Sequence, residues 1–403
     1  MLQKSQKYIH QSKDNFIMQV EISKVTLALF TLLSSNAFSG QEISYLGLGG
    51  TIKSGLYVYG QSEMADKMLY ATRSQLNNDI CILSNQYFEI RNGWENISSG
   101  GSLGASSYYP SEPVKFICPD GNKEVIIHTP DYRNQSFSPI NDTWYILNNS
   151  IDFYQKMTGE LPMQEKITVI SHYFAGDNAQ YVRQDRVGGG YEKFRNHILI
   201  SDGNKSPTTN SEYIYSNGAS SDIVIHELTH AYTAKPGHAF EHMDFSHNSV
   251  NAWSEHFSDI VAEYYQYKEF GQVDFVHNMD RVKCTSEQDA DCRSYIRNFK
   301  DPKYRSLAEA LTSEGKEDID QFSIHTSAEI LGYAFYSLIH EGIFTFDELM
   351  QVLVNAEKNH WKPSADSDIY YFTRGLLNSA ISLGYEDKVP YMIDIYTQTG
   401  FLE

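Results

Sequence analysis

Ser221-Asp-Ile-Val-Ile-His-Glu-Leu-Thr-His-Ala-Tyr-Thr233 is an apolar, helix-compatible run. Ser220 or Ser221 supplies an N-cap, and Lys235-Pro236-Gly237 ends the helix. Inside it stands His226-Glu227-Leu228-Thr229-His230. Residues four apart share a helix face, so both imidazoles reach one metal ion. Glu227 lies beside the first of them, placed to take a proton from water in front of the ligands. H-E-x-x-H in this setting implies zinc.

Two histidines do not complete a catalytic zinc site, which has three protein ligands and an open position. The next helical stretch offers Ser254-Glu255-His256-Phe257-Ser258-Asp259. Glu255 and Asp259 face the same way. The rest of that stretch is apolar at Trp253, Phe257, Ile260 and Val261, so carboxylates on this side need a reason to be there. Glu255 as third ligand and Asp259 as acceptor for a ligating imidazole N–H give both a purpose. His256 is the rival ligand; it points about 100° away from Glu255 around the helix.

Upstream, from Gly40 to about Tyr145, the chain reads as β-rich. Gly55–Tyr59, Pro113–Ile117 and Glu124–His128 are short strand-like runs between Gly, Asn, Ser and Pro clusters. Asn141–Thr158 reads as a helix, with Asn141 or Asp142 as cap. Ile167–Tyr173 and His197–Ile200 read as strands, and Gly203–Gly218 as a polar loop. Downstream, Val250–Glu269, Ser323–Glu341, Thr345–Asn359 and Ile369–Leu383 read as helices. The fold class expected is α+β, with β-rich and helical halves meeting at the metal motif. The expected division is 1–39 leader and signal peptide, 40–238 β-rich domain ending in the H-E-x-x-H helix, and 239–403 helical domain.

The 403 residues are 41% hydrophobic and 21% charged, which is globular rather than disordered composition. A net charge of −19 without any Lys/Arg cluster argues against a nucleic-acid partner. Lys24, the short apolar run Val25–Leu33 and the small residues up to Ser39 read as a signal peptide, cut after Ser39. A run of nine residues is too short to span a bilayer. The protein after signal removal is therefore expected to be secreted, with periplasmic transit, and to have no membrane partner. Export implies an oxidising compartment in which the four cysteines pair. Three connectivities are open. The local one, Cys81–Cys118 and Cys284–Cys292, is preferred because each pair closes a turn-rich loop.

The ordered set His226, Glu227, His230, Glu255 and Asp259 resembles the thermolysin-like neutral metallopeptidases, the bacillolysin and pseudolysin group, which carry H-E-x-x-H and then E-x-x-x-D. Ile324-His325 to Tyr336 is similar to that family's catalytic-histidine segment. Ile296-Arg297-Asn298-Phe299-Lys300-Asp301-Pro302 is similar to its arginine segment. The resemblance implies that His325 hydrogen-bonds the tetrahedral intermediate, that Asp320 orients His325, and that Arg297 supports the substrate carbonyl. It implies that Asn178 and Ala179 bond substrate backbone on the strand edging the cleft. It also places Ile223 and Ile296 in a pocket for bulky apolar residues after the cut bond. A Ca2+ site follows by the same likeness at Asp222, Glu263, Gln266 and Asp274. The chain departs from the family in a longer His230–Glu255 interval and in lacking a clear oxyanion tyrosine. It also reads Thr-Ser-Ala-Glu after His325. The expected activity is zinc-dependent endopeptidase hydrolysis of protein or peptide substrates by a monomer, with Glu227 as general base. The alternatives are a zinc aminopeptidase and an inactive, protease-like binding protein.

Overall fold

The computed structural model describes residues 41–51, 55–62, 66–93, 110, 112–119, 124–125, 136–173, 178–183, 194–202, 211–214, 217–241, 248–277, 282–284, 296–362 and 367–403. The expected signal segment, Cys292, and with it the Cys284–Cys292 pairing, lie outside them. Within them, strands precede and helices follow, so the class is α+β.

Five strands form the path of the first sheet: β1 (Glu42–Thr51), β2 (Gly55–Val58), β3 (Leu69–Arg73), β4 (Ile80–Ile82) and β6 (Lys115–Ile117), in the order β2-β1-β3-β4-β6. All neighbours on that path are antiparallel. The short β7 (Glu124–Val125) runs parallel to β1. Cys81 on β4 is bonded to Cys118, which follows β6, as expected.

The second sheet is mixed. Its order is β5 (Phe88–Asn92), β8 (Ile167–Ser171), β10 (His197–Ile200) and β9 (Ala179–Val182). The first three are parallel and β9 is the antiparallel edge. Every residue of His197–Ile200 is buried, which explains a strand with no polar alternation.

Helix α1 spans Pro139–Thr158, two residues earlier than its expected start. Pro139 sits in the first turn, where its missing N–H costs nothing, and Ser138 takes the cap position. Asn141 and Asp142 do not cap. They are buried and reach back to β1, Asn141 to the Leu48 carbonyl at 3.0 Å and Asp142 to the Gly50 N–H at 3.1 Å. Gly49 permits this approach, because a Cβ there would lie 2.2 Å from the Asp142 carboxylate.

Helix α2 (Ser221–Thr233) lies in the middle of the molecule, and all of Asp222–Thr229 is buried. It packs on α3 (Asn248–Phe270). Around these stand α4 (Leu307–Glu314), α5 (Ile324–His340), α6 (Phe346–Asn355), α7 (Ile369–Ser382) and α8 (Val389–Thr399). The α4 and α8 helices were not anticipated. Residues 356–360 continue α6 as a π turn, so the expected helix to Asn359 changes pitch there. The expected loop at 203–218 contains β11 (Ser211–Ile214), paired with β13 (Val282–Cys284). One hydrophobic cluster runs from Tyr45 to Phe401 through α1, α2 and α3, so strands and helices share a core. No helix among the described residues is long and apolar enough to cross a membrane.

Candidate metal centre and cleft

Helices α2 and α3 run antiparallel and bring together residues at four-residue steps. His226 Nε2 lies 3.0 Å from His230 Nε2 and 3.2 Å from Glu255 Oε2, and His230 Nε2 lies 3.4 Å from Glu255 Oε1. Tetrahedral zinc with bonds of about 2.0–2.1 Å needs neighbouring ligand atoms ~3.3 Å apart. The three donors stand at that spacing before any ion is considered, so they fit zinc.

The partners of these donors are in place. His226 Nδ1 is 2.8 Å from Asp259 Oδ1, and His230 Nδ1 faces Ser258 Oγ at 3.3 Å and Ser254 Oγ at 3.4 Å. Asp259 is fully buried and also accepts from Arg297 Nη2. Burial alone would raise its carboxyl, but Arg297, His277 and His226 hold it far below the usual range. Burial disfavours charge on His226 as well. Asp259 and Glu255 outweigh that and lift its pKa to about 10. Glu255 is held well below the ordinary carboxyl value, against burial, by His230, His226 and His325. The cluster therefore demands positive charge, which protons or a divalent ion supply.

His256 faces away. It is fully buried between the rings of Trp253 and Phe335, 5.7 and 5.8 Å off, and burial drives its pKa down to about 3. The helix geometry thus separates the two neighbouring candidates, Glu255 toward the histidines and His256 into the core.

These donors open onto a cleft of about 640 Å³. Glu227 lines it, and its Oε2 accepts the Tyr181 backbone N–H at 2.7 Å from the edge strand β9. Asn178, Ala179, Ile223 and Ile296 line it too, as the sequence suggested. Arg297 and His325 complete the wall, with Arg297 Nη1 3.1 Å from His325 Nδ1 and that same nitrogen 3.4 Å from Glu255 Oε2. The strand pair β12 (Val276–His277) and β14 (Arg297–Asn298) sets Arg297 opposite His277. Gly332 on α5 lets Phe299 pack against that helix, where a Cβ would meet the ring at 2.2 Å.

Asp320 is not brought to His325. It is exposed in a short turn before α5, and none of the hydrogen bonds among the described residues joins the two. Its carbonyl instead accepts from Asn248 Nδ2 at 2.8 Å. Of the residues expected to hold calcium, Asp222 and Glu263 come together and the charge of Asp274 reaches Glu263, while Gln266 donates its amide N–H to Asp222 and the Asp274 carboxylate accepts the Val276 N–H at 2.9 Å.

Sequence reasoning missed three residues. His277 is fully buried beside Asp259; a histidine in the apolar run Phe275-Val276-His277 was its only signal. Glu329, buried one helical turn beyond His325, lines the cleft and accepts the Asn298 N–H at 2.9 Å. Tyr181 is the tyrosine lining the cleft among the described residues, and its hydroxyl donates to Asn196 at 3.2 Å.

An α+β fold with an H-E-x-x-H helix packed on a carboxylate-bearing helix at the floor of a cleft has the layout of a zinc metallopeptidase, and the chain resembles the thermolysin-like group of these. Its relatives agree. No family model matches the chain. It is 22% identical over 326 residues to the hemagglutinin/proteinase of Vibrio cholerae, covering 80% of this chain and 44% of that protein. It is 23% identical over 366 residues to the neutral protease of Vibrio proteolyticus, covering 88% and 48%. It is 22% identical over 349 residues to a zinc metalloproteinase of Legionella pneumophila, covering 84% and 56%. The chain thus spans about half the length of the curated relatives it matches.

Proposed function

We propose that this chain is a secreted zinc metalloendopeptidase with a thermolysin-like arrangement, its cleft lying between a β-rich half and a helical half. The observation that carries the reading is the convergence of His226, His230 and Glu255 at zinc spacing on a cleft that also holds Glu227. A zinc ion held there supplies Lewis acidity toward a water and the scissile carbonyl. Glu227, fixed by the Tyr181 N–H, takes the water proton and passes it to the leaving nitrogen. Arg297, anchored on Asp259, and His325 present donors to the developing oxyanion. Ala179 at the start of the edge strand β9, with Asn178 just before it, pairs with substrate backbone. Ile223 and Ile296 favour a bulky apolar side chain after the cut. The leader supports secretion.

The test is turnover of amino-blocked and free-amine peptides by purified protein, before and after chelation and zinc return. Hydrolysis of blocked peptides that follows zinc supports the endopeptidase. Activity restricted to free-amine peptides supports an aminopeptidase, and zinc binding without turnover supports a binding protein.

A further inference from the structure

Glu329 takes no part in the hydrolysis itself, yet it is a carboxylate in the cleft wall. It lies on α5 four residues after His325, so the two share a helix face, and both line the cleft. Glu329 is 7% exposed, which sets its charge at the back of that wall. Its Oε1 accepts the Asn298 N–H at 2.9 Å. Asn298 is itself fixed. It pairs with Val276 across β12 and β14, and its Oδ1 accepts the Lys300 and Asp301 N–H groups at 3.0 and 3.1 Å. The carboxylate is therefore held in place before any substrate arrives.

The cations of the cleft are committed elsewhere. The Lys and Arg side chains lining it among the described residues are Arg183, Arg297 and Lys303. Arg183 donates to the Phe240 carbonyl at 3.0 Å. Lys303 Nζ lies 3.3 Å from Glu314 Oε1 and 4.6 Å from the Tyr304 ring centre. Arg297 spends Nη2 on Asp259 and Nη1 on His325. Burial works against its charge, and Asp259, Glu255 and Glu329 outweigh that. One guanidinium shared among these carboxylates cancels none of them fully, so the wall attracts a further cation.

Beside Glu329 the wall is apolar. Ile223 and Ile296 line the same cleft. Ile296 stands two residues before Asn298 and is 39% exposed, so a side chain entering here meets apolar surface next to the carboxylate. Such a wall suits a methylene stem with a cationic tip. A purely apolar side chain would dry the carboxylate without offering it a charge.

We propose that Glu329 selects lysine or arginine directly after the cut bond, the stem lying on Ile223 and Ile296 and the cationic tip reaching the Glu329 carboxylate. This rests on the peptidase reading of the cleft, and it narrows the preference there from bulky apolar to apolar-stemmed and basic.

The experiment is internal competition between amino-blocked peptides on the zinc-loaded full chain. The peptides differ only after the cut bond, which is followed by lysine, by glutamate, or by norleucine, whose stem is that of lysine without the amine. Mass spectrometry locates the cut and gives ratios of kcat/KM, which do not depend on how much enzyme is folded. Wild type is expected to prefer lysine to norleucine and norleucine to glutamate. Glu329→Gln keeps an oxygen for the Asn298 N–H and removes the charge. It should lower the lysine-to-norleucine ratio by roughly 10–100-fold and raise the glutamate-to-norleucine ratio. A lysine-to-norleucine ratio that does not move overturns the proposal; if all peptides also slow alike, Glu329 supports Arg297 instead. A wild type that favours norleucine over lysine overturns it too. In both cases zinc-dependent cleavage leaves the peptidase reading standing. If wild type cleaves none of the peptides, the peptidase reading fails, and fluorescence anisotropy of the same peptides, labelled, reads the pocket. A lysine preference in binding that Glu329→Gln removes supports the basic pocket, and equal or absent binding of the lysine and norleucine peptides overturns it.

Discussion

Asp259 Oδ1 lies 2.8 Å from His226 Nδ1 and at the same time accepts from Arg297 Nη2, so one buried carboxylate holds both a metal-facing imidazole and the cationic wall of the cleft. Removing it should disturb both. Asp259→Ala is expected to weaken zinc binding by roughly 10–100-fold, the usual cost of losing a partner behind a ligand. Turnover at saturating zinc should also fall, because Arg297 loses its anchor. Competition with a zinc indicator and kcat at saturating zinc separate the two effects. A variant with normal kcat once zinc is saturated would show that Arg297 needs no such anchor.

Glu227 touches the Tyr181 N–H and not the metal-facing donors, which makes it separable from zinc binding. Glu227→Gln keeps the shape and removes the base. Zinc content should stay at wild-type level while kcat falls by about 10²–10⁴-fold. Elemental analysis and blocked-peptide turnover on one preparation check this. Near-wild-type hydrolysis would end the assigned role.

Glu255 and His256 are neighbours with opposite fates. Glu255→Ala should lose zinc and activity together. His256→Leu should keep zinc, and it should gain stability. Both imidazole nitrogens of His256 are buried without a hydrogen bond among the described residues, an arrangement costing about 1–3 kcal/mol. A higher urea midpoint at unchanged m-value is the expected reading. Loss of zinc from His256→Leu would transfer the third ligand to position 256.

Asp142 gives the fold a pH signature. Burial raises its pKa to about 7, against the hydrogen bonds from Tyr59, Gly50 and Tyr57. The folded state therefore holds a proton that the unfolded chain, with a pKa of about 3.9, releases. Stability from this group is full at low pH and declines as pH climbs from about 4 to about 7. The difference in unfolding free energy between wild type and Asp142→Asn should change across that window by on the order of 2–4 kcal/mol. A flat difference would mean that the three donors keep Asp142 ionised throughout.

Cys81 and Cys118 close a loop with a sequence separation of 37. Replacing both with serine should cost about 3–4 kcal/mol of stability, by the loop-entropy relation. Denaturant unfolding of the double variant measures it.

The H-E-x-x-H helix, the Glu255 carboxylate that faces its histidines and the Asp259 behind His226 were legible in the sequence because a helix has a fixed period. Residues four apart must share a face, and that alone joins His226 to His230 and Glu255 to Asp259. Arg297 and His325 came from resemblance, and the fold brings them to the cleft. Asp320 did not follow, since five residues of spacing before a helix do not fix where an exposed turn points. His277 was illegible for the opposite reason. A two-residue strand, β12, has no period to read, and only its pairing with β14 carries the imidazole beneath Asp259. The antiparallel register of α2 on α3 was likewise invisible. Sequence fixes which residues line one helix face, but the packing of two helices decides which rungs meet. That packing sets imidazoles against carboxylates at two rungs and carboxylate against carboxylate at the third.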